Sequence, residues 1–319
     1  MTDLKIIIGL PAYNEEKNIA SIIMNISKIY DEIVVCDDGS TDLTGPIAKK
    51  MGATVVTNSK NLGYGSAIKG LFTYFANSDA DILVTFDADG QHRIEDIKTV
   101  IDPIIKNESD IIIGSRFLDN DNTDVPKYRK IGIKTITNLT NLGSEIKLTD
   151  SQSGFRAYHK RIIADIRPSE NGMGISTEIL IKAKKKQFRI KEVSIKVLYG
   201  ENTSTHHPVS HGVSVILSTM KFISIEHPLK FYGIPGFGFL GIGIIFIIWT
   251  LQIFTDSGTI LTNIALIGLA SIIVSTVLLM TAIMLYSIVN VVREGQNRWI
   301  LIIYNLSWQI IGIKLQTVE

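Results

Sequence analysis

Three short stretches concentrate carboxylates beside amides and small residues. They are Pro11-Ala12-Tyr13-Asn14-Glu15-Glu16, Asp37-Asp38-Gly39-Ser40-Thr41-Asp42 and Asp87-Ala88-Asp89-Gly90-Gln91-His92. Asp-Gly pairs are common turn formers, so any one of these stretches is weak evidence of a site. Brought to one edge, their charges would repel, and a bound cation or donors on a ligand would relieve the repulsion. Carboxylate and amide oxygens are the ligands a hard divalent cation prefers.

The elements around these stretches predict that they do converge. Strand-like runs at 4–10, 32–36, 54–57 and 82–86 alternate with amphipathic stretches at 18–29, 44–51 and 66–76. That order argues for an α/β fold with a mainly parallel sheet and helices on both faces. Ligands of such sheets sit beyond the carboxyl ends of the strands, and each acidic stretch directly follows a strand. No Gly-rich loop ends in Gly-Lys-Ser/Thr, which excludes a P-loop protein. Gly63-Tyr64-Gly65 opens a helix without dinucleotide spacing; it places Gly63 near a ligand phosphate or ribose, or makes a plain strand-to-helix turn.

Charge divides the chain in two. Of 63 Lys, Arg, Asp and Glu residues, only Asp256, Arg293, Glu294, Arg298, Lys314 and Glu319 follow Lys230. Phe231 to Thr255 and Ser257 to Val292 are uncharged runs of 25 and 36 residues. A helix crosses a hydrocarbon core with about 20 apolar residues, which predicts spans at about 232–254 and 264–291 joined by Asp256-Ser257-Gly258. The alternative, a buried hairpin of a soluble protein, needs uncharged runs rare in soluble cores. Lys221 and Lys230 before the first span, with Arg293 and Arg298 after the second, put both ends in the cytoplasm of a multi-pass cell-membrane protein. Val213 to Phe231 reads as an interfacial helix, and Trp299 to Ile313 as an apolar juxtamembrane tail too short for a third span.

The net charge of +1 and the lack of a basic strip interleaved with aromatics give no basis for a nucleic-acid partner. One cysteine, Cys36, rules out an intrachain disulfide and reads as a buried strand thiol. The N-terminal MTDLKIIIGLPAYNEE reads as a first strand rather than a signal peptide. The expected division is a catalytic domain at 1–205, an active-site loop and interfacial helix at 206–230, the hairpin at 231–292 and the tail at 293–319.

The three acidic stretches, with Thr149-Asp150-Ser151-Gln152-Ser153-Gly154-Phe155-Arg156, resemble family 2 glycosyltransferases of the GT-A fold. Within that family the chain looks like the dolichyl-phosphate mannose synthase and polyprenyl-phosphate glucosyltransferase group, from about Leu4 to Pro228. The acidic triplet is moderately specific; joined to the Gln-Ser-Gly-Phe-Arg stretch it is highly specific. The resemblance implies inverting transfer of a hexose from a nucleotide sugar, GDP-mannose or UDP-glucose, to a polyprenyl (dolichyl) phosphate at a lipid bilayer.

It also implies a role for each matching residue. Pro11, Tyr13 and Glu15, with Asp37 or Asp38, would hold the nucleoside, near Gly63 and Asp87. Asp87, Asp89 and Gln91 would cluster around Mg2+ or Mn2+. Arg116, and Arg129 with Lys130 as its rival, would meet the lipid phosphate. Asp150, Gln152, Ser153 and Arg156 would surround the reacting centre. A phosphate nucleophile with a second pKa of about 6 is already largely dianionic near neutrality, so Asp150 reads as a positioning or weak-base residue.

Several features have two readings. Glu178 is either a family site residue or a first-turn acid favoured by the helix dipole. His206, His207 and His211 resemble the family's active-site loop, without its usual arginine or lysine. A processive polysaccharide synthase shares the fold, but Gln296-Asn297-Arg298-Trp299 is one residue short of its Gln-x-x-Arg-Trp. An inactive membrane scaffold would not need Asp87, Asp89, Gln91, Arg116 and Asp150 intact. Ser271, Ser275 and Thr276 on one span leave a homo-oligomer open.

Overall fold

The computed structural model describes residues 4–119, 125–144, 146–197, 217, 220, 221, 223–225 and 227–316; for residues 127–129, 142–144 and 293–316 it describes the backbone alone. Contacts divide the chain into two units, Met1–Met220 and Lys221–Glu319.

In the first unit seven strands make one sheet: β1 (Ile6–Ala12), β2 (Glu32–Asp37), β3 (Thr54–Thr57), β4 (Ile82–Thr85), β5 (Ile111–Ser115), β6 (Arg156–His159) and β7 (Ile190–Ser194). Their order is β3-β2-β1-β4-β6-β5-β7. Every neighbouring pair is parallel except those of β6, which runs antiparallel to β4 and β5. The α/β, mainly parallel sheet read from the sequence is therefore what forms.

Among the described residues six α-helices accompany it: α1 (Ile19–Ile26), α2 (Thr44–Lys50), α3 (Tyr64–Asn77), α4 (Asp96–Ile105), α5 (Lys127–Ser144) and α6 (Ile175–Lys185). The central strands are apolar on both faces because both are covered. Ile8 and Leu10 of β1 pack with Ile19 and Ile23 of α1 and Ile97 and Ile101 of α4. Ile7 turns the other way, joining Val34, Leu71 of α3 and Ile179 of α6. Each buried isoleucine contributes about 1.5–3 kcal/mol. Cys36 lies within this second core, its thiol pushed up to about 12 by burial first and by Asp38 and Asp37 next.

Two features of the topology build the site. Successive strands leave β1 in opposite directions, β2 and β3 to one side and β4 to the other, so a crevice opens at the carboxyl ends of β1 and β4. An antiparallel strand, moreover, begins where its parallel neighbours end. Arg156 pairs with Thr85 of β4 and Ile113 of β5, so the peptide preceding β6 is delivered to that same edge.

In the second unit a π-helical turn, Leu229–Gly233, leads into a helix at Ile234–Ser257. Gly258 ends that helix at φ 67°, where its N–H donates to the Phe254 carbonyl at 2.9 Å. The next helix runs from Thr262 to Gln316. Both are long and apolar enough to cross a membrane, over Leu229–Ser257 and Thr262–Val292, and only 6% and 11% of their most apolar windows are buried. Soluble-core helices of this composition would be mostly buried. The two pack through small residues: Ser275 Oγ donates to the Gly236 carbonyl at 2.8 Å, and a Cβ on Gly243 would lie 2.6 Å from Ile272 Cγ1. Asp256 and Ser257 belong to the first helix rather than to a turn, since the left-handed Gly258 sets the end. The backbone of Trp299 to Ile313 continues the second helix. Most of the expected loop and interfacial helix at 206–230 lies outside the described residues.

Candidate active site

The loops after β1 and β2 are knitted into one body. Asp38 N donates to the Ala12 carbonyl at 2.9 Å. Asn14, at φ 56°, donates from its backbone N to Ser40 Oγ and accepts from Thr41 N, both at 2.9 Å. Glu15 N donates to Thr44 Oγ1 at 2.7 Å. Asn18 then reaches the third loop: its Nδ2 donates to Glu15 Oε2 at 3.1 Å and to the Asp89 carbonyl at 3.5 Å. The three acidic stretches thus converge.

Their charges are poorly balanced. Glu15 is raised to about 7, mainly by burial, with the Asn18 bond opposing and Asp89, Asp42 and Asp87 adding to the rise. Asp89 is raised to about 6 by burial and then by Asp87, although Gln91 N donates to its Oδ1 at 3.0 Å. Asp87 goes the other way. Burial disfavours its charge, but His92, Arg116 and Tyr64 outweigh burial and hold it below the usual range. His92 Nε2 lies 3.2 Å from Asp87 Oδ2, and Tyr64 Oη donates to Oδ1 at 3.4 Å. Gly154 passes so close that an added Cβ would lie 2.6 Å from Asp87 Oδ2 and from Tyr64 Oη.

The 149–156 segment is electrostatically complete. Asp150 has no exposed surface and receives Arg116 in two-pronged fashion, Nε to Oδ2 at 2.6 Å and Nη2 to Oδ1 at 2.8 Å. Burial pushes the Asp150 carboxyl up, but the Arg116 charge and bonds hold it below the ordinary range. Behind it, Glu192 of β7 accepts from Thr149 N at 2.8 Å and from Asp150 N at 2.8 Å. Arg156 is buried and donates to the carbonyls of Ser153, Ser176 and Ser151 at 2.8, 3.0 and 2.7 Å. Gln152 Nε2 reaches Ser151 Oγ and Thr177 Oγ1 at 3.1 and 3.2 Å. Ser153 Oγ is buried with no hydrogen-bond partner among the described residues.

A match to known proteins fits this geometry. Residues 7–167 match the model of Glycosyl transferase family 2, just over half of the 319-residue chain. The chain belongs to that family. One relative is the UDP-N-acetylglucosamine–dolichyl-phosphate N-acetylglucosaminyltransferase of Methanococcus voltae, 34% identical over 68% of this chain and 93% of its own. Another is the dolichyl-phosphate hexose transferase of Haloferax volcanii, 30% identical over 72% of this chain and 96% of its own. Among solved structures, glucosyl-3-phosphoglycerate synthase of Mycobacterium tuberculosis, crystallised with Mn2+, UDP and phosphoglyceric acid, shares the fold. Its TM-score is 0.55 at 22% identity, over 69% of this chain and 79% of that one.

For a family 2 glycosyltransferase, the donor set at the acidic edge suits an ion that arrives with its substrate. Among the described residues, no group of three or more His, Cys, Asp and Glu side chains is arranged to hold a metal. Mg2+ binds through one or two carboxylates and completes its shell with water and substrate phosphates. Asp87 and Asp89, with their excess negative charge, fit that pattern.

The remaining sequence expectations divide. Pro11 is buried, while Tyr13 and Glu15 keep partial exposure at the crevice. Asp37 and Asp38 are both buried. Asp38 accepts from Asn58 Nδ2, Leu62 N and Gly63 N at 2.7, 3.1 and 2.7 Å, so it holds the loop leading to α3. Gly63 sits at φ 101° with no room for a Cβ, which would lie 2.6 Å from the Asn171 carbonyl. Glu178 is a structural tie: its buried carboxylate accepts from Ser169 N, Glu170 N and Lys182 Nζ at 2.7, 2.8 and 2.6 Å. Arg129 lies on α5, its side chain outside the described residues, as are His206, His207 and His211 entirely. A cavity of about 280 Å³ beside Phe117 and Thr149 is lined by Lys130, Lys134 and Thr137 of α5. Sequence reasoning missed Tyr64, His92 and Glu192 as partners of the site. His92 was legible only as the end of the acidic stretch, and Glu192 had no local signal.

Proposed function

We propose that this chain transfers a sugar from a nucleoside-diphosphate sugar to the phosphate of a dolichyl-type polyprenyl lipid, with inversion at the anomeric carbon. The observation that carries the reading is the convergence of Glu15, Asp87 and Asp89 at the crevice of a family 2 fold. Two relatives whose names specify dolichyl phosphate support the acceptor. The two long apolar helices support work at a membrane, and the positive-inside bias supports a catalytic unit on the cytoplasmic side. GDP-mannose and UDP-glucose are the first donors to test, and the Methanococcus voltae relative adds UDP-N-acetylglucosamine.

In this reading Pro11, Tyr13 and Glu15 hold the nucleoside, and Asp87 and Asp89 face the diphosphate. A Mg2+ or Mn2+ ion there would stabilise charge building on the departing nucleoside diphosphate. The lipid phosphate oxygen attacks the anomeric carbon as the bond to the diphosphate breaks on the opposite face. No deprotonating base is needed, and Asp150 is unsuited to be one, because it is buried, held ionised and bound to Arg116. Its work is to aim Arg116. That guanidinium, with the lysines of the α5 cavity, offers positive charge to the acceptor phosphate. Arg156, Gln152 and the Ser151 hydroxyl shape the segment that carries Asp150.

The test is incubation of the purified protein in detergent with dolichyl phosphate, each labelled nucleotide sugar and Mn2+. The expected product is an organic-soluble, acid-labile sugar phosphate lipid, formed with one donor and abolished by chelator. No transfer from any of the three donors, metal present, overturns the proposal.

A further inference from the structure

His92 ends the acidic stretch, five residues after Asp87, and its surroundings set it apart from an ordinary core side chain. The ring is 7% exposed and packs against Phe86 and Phe155, at centroid distances of 5.6 and 5.0 Å. In that apolar setting its Nε2 lies 3.2 Å from Asp87 Oδ2. Nδ1 is buried with no hydrogen-bond partner among the described residues. A neutral imidazole has one N–H, and the nitrogen facing a carboxylate holds it. The Nδ1 lone pair is then left buried and unanswered among the described residues, which is unfavourable. A phenylalanine would fill the same space without that cost. What only the imidazole supplies is the hydrogen bond to Asp87.

We propose that His92 is a positioning residue: by donating from Nε2 to Asp87 it fixes the direction of that carboxylate and so sets the affinity for the cation–diphosphate part of the donor. Tyr64 restrains the other Asp87 oxygen, so the carboxylate is held at both atoms before any ligand arrives. The inference rests on the reading of the acidic edge as the nucleotide-sugar site. Partners of this kind behind metal-binding side chains are worth about 10–100-fold in metal affinity or activity.

The test uses the full-length protein in detergent, with Mn2+ and UDP or GDP as probes, and free Mn2+ followed by electron paramagnetic resonance. His92→Phe should unfold at or above the wild-type temperature while binding the Mn2+–nucleotide pair about 10–100-fold more weakly. His92→Gln, which returns an amide donor near the Nε2 position, should recover most of the loss. Nitrogen NMR of the wild-type ring should show the proton on Nε2, a readout that holds even if His92→Phe fails to fold. Equal binding by His92→Phe and wild type, equal impairment of the Phe and Gln variants, or a proton on Nδ1 each overturns the inference alone. Failure of the wild type to bind either pair overturns the reading of the acidic edge, and the inference with it.

Discussion

Asp89 and Asp150 are carboxylates on the same edge of one sheet, in opposite states. Asp150 is enclosed and answered in two-pronged fashion by Arg116, which holds it ionised. Asp89 shares its crevice with Asp87 and Glu15 and is pushed up toward about 6. The difference separates two kinds of polar site. Where the protein meets its own charges, as at Asp150 and Arg116, substitution is felt in stability as well as in function. Where it leaves negative charge in excess, a ligand must supply the balance, and substitution is felt first in function.

Five substitutions break or sharpen that contrast. Asp89→Ala should lower transfer at least about a thousandfold, the several kcal/mol a divalent ion supplies at the barrier. Thermal unfolding of the unliganded protein should change little, and a large loss of stability would group Asp89 with Asp150. Arg116→Ala should lower transfer and, unlike Asp89→Ala, stability as well, since it strands the buried Asp150 charge. The expected cost is about 3–5 kcal/mol, a fall in unfolding temperature of roughly 10 °C. Adding Asp150→Asn should return much of that stability without returning transfer.

Gly154→Ala probes the boundary between the two sites, because its Cβ would press on Asp87 and Tyr64. Transfer should fall by about 10–100-fold, with the loss seen mainly in the KM for the nucleotide sugar. Unchanged kinetics would show that Asp87 can shift freely. Glu178→Gln is expected to be the smallest effect, confined to stability, at about 1–3 kcal/mol. Burial pushes Glu178 up, and bonds from Lys182, Glu170 and Ser169 more than offset it, so it stands below its ordinary 4.5. A carboxyl depressed on folding stabilises above its unfolded value, and loses that as pH falls through its folded value. The difference in unfolding temperature between wild type and Glu178→Gln should be full at pH 7 and shrink below about pH 4.5.

The same contrast explains what the sequence disclosed. The acidic edge was legible because each stretch follows its strand directly, and a parallel sheet collects strand ends. The two apolar helices were legible from length and charge alone. The pairing inside the answered site was not, although the resemblance named Arg116 and Asp150 themselves. Arg116 and Asp150 are 34 positions apart, and Glu192 reaches Asp150 across 42. No periodicity links such residues, and only the antiparallel insertion of β6 brings them to one edge. The partners of Asp38 were hidden for a related reason: its place at a strand end was visible, but its oxygens close on Leu62, Gly63 and Asn58, 20 to 25 positions away. Spacing located the edge; which carboxylates stay open there depends on loops that return from elsewhere in the chain.

Calorimetric titration of UDP and GDP into wild type, Asp89→Ala and Asp150→Asn, with and without Mn2+, tests the central claim most directly. The account predicts Mn2+-dependent binding of at least one nucleotide by the wild type, its loss in Asp89→Ala and its retention in Asp150→Asn. Binding that is indifferent to Mn2+, or lost in Asp150→Asn and kept in Asp89→Ala, would contradict it.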